Sequence, residues 1–93
     1  MSKFKTGQMA MTRSINNSMA DSEIFAKEIT KIISRYLSCD WGDLCDEDKK
    51  ANDNAVLNGE DRILAAYMTC YGKIYIITEW DHSYTTVLFA DEY

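Results

Sequence analysis

The chain reads as an α+β fold in which two main helices pack on one face of a three- or four-stranded antiparallel sheet. Two patterns predict this. Apolar residues recur at helical 3-and-4 spacing through the middle of the chain, and three β-rich segments joined by hairpin-length connections fill its last third. Length supplies the third observation: 93 residues with no proline and four glycines suit one domain over 1–93 with little flexible linker.

Residues 1–20 read as an N-terminal arm or edge strand followed by a short helical turn. Residues 4–11 alternate loosely, although Gly7 and the polar side chains weaken the strand pattern. Residues 12–19 hold one or two turns of helix around Asn16 and Asn17, both poor helix formers.

Residues 21–59 are assigned to helices. Over 22–37, Phe25, Ile29, Ile32, Ile33 and Tyr36 line one apolar face. Asp21 or Ser22 is placed to cap the free N–H groups, and Glu23 suits the positive first turn. Lys27, Lys31 and Arg35 fall on the solvated side, with Glu28 within reach of Lys31. Residues 38–43 break the pattern, and Gly42 supplies a turn. A second helix is expected to begin between Asp43 and Asp46 and to stop at Gly59. Its apolar stripe of Leu44, Ala51, Ala55 and Val56 is thin, which places it at the periphery.

Residues 60–93 read as a β-meander with strands over 62–70, 73–80 and 84–90. Tyr71-Gly72 and Asp81-His82-Ser83 form the connections, with His82 expected to be solvent-exposed. The middle strand is apolar on both faces, with Ile74, Ile76 and Trp80 on one and Tyr75 and Ile77 on the other. One face takes the helices. The other then needs a cover, either the N-terminal segment or a second copy of the chain.

Composition narrows the function. A hydrophobic share of 46% with 27% charged residues is that of a folded protein. Cys39, Cys45 and Cys70 form an odd set without close pairing, which suits reduced thiols in the cytoplasm. No run approaches the ~20 apolar residues of a membrane helix. Lys3 and Lys5 are followed by no apolar stretch of the kind a signal peptide carries. Net charge is −5. Residues 1–20 carry Lys3, Lys5 and Arg13 and no acid, whereas the rest holds all fifteen acids against seven bases. Direct nucleic-acid binding is disfavoured by that balance.

The most conspicuous polar feature is the acidic run Asp40, Asp43, Asp46, Glu47 and Asp48, with Trp41 lodged in it. A calcium loop is disfavoured by spacing, since Gly42 comes too early for the required turn. The acids read either as caps that complement a helix dipole or as a docking surface for a basic partner. Trp41 reads either as a core anchor or as an interface hot spot. Asp40, Trp41, Asp43, Asp46, Glu47 and Asp48 are therefore the candidate partner-binding residues.

Other chemistries find little support. Cys39, Cys45, Cys70 and His82 could make a zinc set by type, but five residues between the nearest cysteines exceed the usual ligand spacing. His82 is the only histidine, and its neighbour Asp81 cannot orient it toward a distant nucleophile. No glycine-rich phosphate loop occurs. No catalytic residue, metal or cofactor is expected from these patterns.

With its segments placed, the chain resembles a family of small bacterial proteins labelled "plasmid related protein". The resemblance runs from Phe4 to Tyr93 and rests on Phe4-x-x-Gly7-Gln8, Asp40-Trp41-Gly42-Asp43-Leu44, Glu47-Asp48 and Asn52-Asp53. It continues through Arg62-Ile63-Leu64, Ala66-Tyr67, Ile76-Ile77-Thr78-Glu79, Thr85-Thr86-Val87-Leu88-Phe89 and Glu92-Tyr93. Trp80, His82, Tyr84 and Ala90 depart from it, where a small residue, arginine, a small residue and proline are expected. The resemblance implies a mobile-element setting and no defined activity. The resulting expectation is a non-enzymatic, acidic protein-binding module carried by a plasmid or phage, whose most concrete target is a host defence nuclease such as a CRISPR or restriction complex. The alternatives are an accessory homodimer without inhibitory role and a small enzyme.

Overall fold

The amphipathic pattern of the middle segment determines which side of the sheet is covered, and the computed structural model describes this for residues 3–93. The chain runs β1 (Gln8–Met11), α1 (Arg13–Asp21), α2 (Glu23–Leu37), α3 (Asp46–Asn58), β2 (Ile63–Thr69), β3 (Gly72–Thr78) and β4 (Tyr84–Phe89). A 3-10 turn, Ala90–Glu92, closes it. The fold is α+β, with three α-helices and a four-stranded sheet of order β1-β4-β3-β2 among the described residues.

The sheet is mixed, which corrects the purely antiparallel expectation. β2, β3 and β4 form the antiparallel meander, but β1 lies parallel to β4. Its bonds run from Gln8 N to Ser83 O at 3.1 Å and from Thr12 N to Val87 O at 3.1 Å. No hairpin connects β1 to β4. All three helices and two strands intervene, so turn geometry does not dictate their relative direction.

Two helices share the inner face. Thr12 caps α1 through its side chain, and Ser22 caps α2 at Phe25 N over 3.1 Å. Helix α1 is longer than the expected turn or two, because Asn16 and Asn17 face solvent while Ile15 is buried. Phe25, Ile29, Ile32 and Tyr36 of α2 join Ile15, Ile63, Ala65, Tyr67, Ile74, Ile76 and Val87 in one core cluster. Helix α3 is peripheral, as its thin stripe suggests, and flanks the outer edge of β2. It buries only Asn52 and Ala55. Glu28 does not pair with Lys31. Its carboxylate accepts from Cys70 N at 3.0 Å, and Lys27 pairs with Glu23 instead.

A polar chain crosses the core. Thr85 Oγ1 donates to Thr6 O at 2.7 Å, so Thr78 must donate to Thr85 and Tyr36 to Thr78. Each hydroxyl is thereby satisfied inside an apolar shell. Desolvation raises the Tyr36 hydroxyl far above its ordinary pKa, which keeps this donor protonated.

The β3–β4 connection corrects two expectations. His82 is 2% exposed, not a solvated turn residue. Phe4 packs edge-on near its ring, and Nε2 donates to Asp61 O at 3.0 Å in the tautomer that carries its proton there. Gly7 also closes over the turn, at a φ of +65° and so near Ser83 that a Cβ would overlap its carbonyl. Trp80, expected on the same strand face as Ile74 and Ile76, which the core buries, is 67% exposed, because the strand ends at Thr78.

The second sheet face is not covered by the N-terminal segment, which enters the sheet as β1. The C-terminus reaches it instead. Tyr93 stands edge-on to Tyr75 with ring centroids 5.6 Å apart and accepts from Arg62 Nη2 at 2.6 Å. No helix among the described residues is long and apolar enough to cross a membrane.

Candidate acidic docking site

The acidic run divides after Gly42. Its first part is built into the fold. Asp40 receives Arg35 through two bonds, Nε to Oδ2 at 2.7 Å and Nη2 to Oδ1 at 3.2 Å, and also accepts from Gly42 N. The Arg35 guanidinium holds the Asp40 carboxyl below the usual carboxylate range. Arg35 also lies over the Tyr67 ring, and Tyr67 donates to Asp40 O at 2.7 Å.

Trp41 is 2% exposed and packs against Tyr36 and Phe4. Its indole N–H donates to Asp53 Oδ1 on α3 at 2.9 Å. Of the two readings of Trp41, burial selects the core anchor, and the side chain is withdrawn from any partner surface.

Gly42 makes the segment lie down on the sheet. It bridges to Ala66 in parallel fashion, at a φ of +74° that disfavours a side chain. A Cβ there would overlap the Ala66 carbonyl and crowd the Tyr67 ring. Asp43 N donates to Ala66 O at 2.8 Å, and Ala66 N donates to Trp41 O at 3.4 Å.

Asn52 continues this seal one step along β2. Its amide nitrogen donates to Leu64 O at 2.9 Å and its oxygen accepts from Leu64 N at 3.4 Å. The outer edge of β2 is thus occupied at Leu64 and Ala66, and Glu28 accepts from Cys70 just beyond the strand. Edge pairing with another chain is blocked over most of β2.

The second part of the run is free. Asp43, Asp46, Glu47 and Asp48 are exposed and form no ion pair among the described residues. Asp46, Glu47 and Asp48 occupy the first turn of α3, and its N-cap Cys45 makes no side-chain capping bond. The three carboxylates therefore complement the positive helix end by charge alone. Four exposed acids remain on a platform held by Trp41, Asn52 and Asp53.

Sequence reasoning named the acids but not the residues that set them in place. Asn52 and Asp53 were missed. A signal for Asn52 existed, because it lies three residues before Ala55, a member of the apolar stripe, and so on the inward side of α3. The three cysteines are unpaired; Cys39 and Cys45 lie in the α2–α3 connection, Cys70 between β2 and β3, and His82 between β3 and β4. Among the described residues, no three His, Cys, Asp or Glu side chains converge as a metal site.

Comparison with known proteins adds no relative. No family model, curated protein or solved structure matches the chain.

Proposed function

We propose that the chain is a non-enzymatic binding module that docks a basic protein surface through Asp43, Asp46, Glu47 and Asp48. The observation that carries this reading is that these four exposed acids have no ion-pair partner among the described residues while their supporting segment is tightly held. Fixed carboxylates meet basic groups without first losing much conformational freedom, and they steer association at low salt. The setting is a plasmid or phage protein acting in the host cytoplasm, which follows from the resemblance in the acidic segment and the strands. A host nuclease that grips DNA in a basic channel is the target class such a surface fits, because clustered carboxylates imitate phosphates.

The test is phage plating on hosts that carry a restriction or CRISPR system, with and without the chain. Protection is expected to be lost in an Asp43→Lys, Asp46→Lys, Glu47→Lys variant that still melts cooperatively. Equal protection by that variant, or none from the parent across a panel of such systems, overturns the proposal.

A further inference from the structure

A hollow opens beside the exposed acids. It has a volume of about 250 Å³ and is lined by Leu44, Asp48, Ala51, Asn52, Arg62 and Leu64. Its walls are α3 and the segment before it on one side and the start of β2 on the other. A larger hollow of about 410 Å³ lies along Glu23, Ala26, Lys27, Thr30, Lys31 and Ser34, but α2 alone bounds it.

The polar groups of the smaller hollow are unequally committed. Both ends of the Asn52 amide are used on Leu64. Arg62 is turned to Tyr93, donating to its hydroxyl and lying 5.2 Å from its ring centroid. Asp48 has no ion pair among the described residues. The apolar floor is Leu44, Ala51 and Leu64.

Resting on the docking reading above, we infer that this hollow receives a single arginine or lysine side chain of the basic partner. Its aliphatic stem lies along Leu44, Ala51 and Leu64, and its cation meets Asp48. Long basic side chains bury their stems on apolar surface while their charged ends stay near water or a counter-charge. At about 250 Å³ the hollow is smaller than the roughly 300–1,000 Å³ pockets that hold drug-sized ligands, which suits a single side chain. An arginine seated between apolar walls is also a common energetic centre of protein interfaces.

The experiment titrates the isotope-labelled full chain with n-butylguanidinium and with methylguanidinium, following backbone amide resonances. n-Butylguanidinium should shift Leu44, Ala51 and Leu64 saturably and bind at least about threefold more tightly than methylguanidinium, because only it carries a stem to bury. Ala51→Leu fills the hollow from an exposed position with a good helix former, so it should fold and abolish those shifts. Asp48→Asn should weaken binding about threefold or more. Equal binding of the two probes, or an undiminished response in Ala51→Leu, overturns the inference.

A hexa-arginine peptide separates this failure from failure of the docking reading. Peptide binding lost on Asp43→Lys, Asp46→Lys, Glu47→Lys but unchanged by Ala51→Leu leaves the acidic surface standing and removes the hollow. Peptide binding indifferent to both variants removes both.

Discussion

Residues 40–42 and 46–48 are near neighbours in one acidic run, yet they meet opposite surroundings. In the first, a carboxylate is clamped by Arg35, an indole is buried, and a glycine backbone is bonded to the sheet edge. In the second, three carboxylates stand on the open first turn of a peripheral helix. The contrast teaches that acidity alone does not mark a surface for docking. What the rest of the fold does with each carboxylate separates the structural acid from the available one.

The sharpest way to break this contrast is at its anchor. Trp41→Ala should cost about 3–5 kcal/mol, as for other large aromatic deletions in a core. Thermal melting of the pair checks this, and a melting temperature equal to the parent's would place Trp41 outside the core. Asn52→Ala comes next. It strips the side-chain partner from Leu64 N and O, for an expected loss of about 1–3 kcal/mol. Because it also unseals the β2 edge, sedimentation should detect more self-association than in the parent.

The exposed acids should respond weakly in stability. Asp46→Asn or Glu47→Gln removes one carboxylate from the α3 first turn and should cost about 0.3–1 kcal/mol. Denaturant melts that lose several kcal/mol would instead make that turn part of the structural half.

The smallest effect is expected at Asp40, whose pair with Arg35 is half exposed and so is worth about 0–1 kcal/mol. Its sign with pH is nonetheless definite. The folded carboxyl titrates below its unfolded value of about 3.9, so its contribution is present above that pH. The contribution fades as pH falls through the lowered folded value. Asp40→Asn should therefore flatten the acid limb of a stability–pH curve below about pH 4 relative to the parent. An acid limb unchanged by the substitution would detach Asp40 from the clamp.

Much of the fold was legible before the structure. The α2 face was readable because Phe25, Ile29, Ile32 and Tyr36 repeat at helical spacing over about three turns, and the meander because β-rich runs alternate with short connections. Both signals are local. The position of β1 was not readable in the same way, since its parallel partner lies more than seventy residues away in the chain. His82 was misjudged for a related reason. Its immediate neighbours Asp81 and Ser83 are turn residues, but Phe4, Gly7 and Asp61 bury it from distant parts of the chain.

The candidate site divides along the same line. The sequence by itself determined that acids gather ahead of a helix, that a tryptophan and a glycine interrupt them, and that this helix has a thin apolar stripe. Composition and spacing within a dozen residues carry all of that. Only the tertiary structure decided which acids remain available. Arg35 reaches Asp40 from the end of α2, Ala66 on β2 takes the backbone at Trp41 and Asp43, and Asp53 receives the indole. Each pairing depends on where separate elements come to rest against one core, and a hydrogen bond or ion pair forms only at that distance, whatever the separation along the chain.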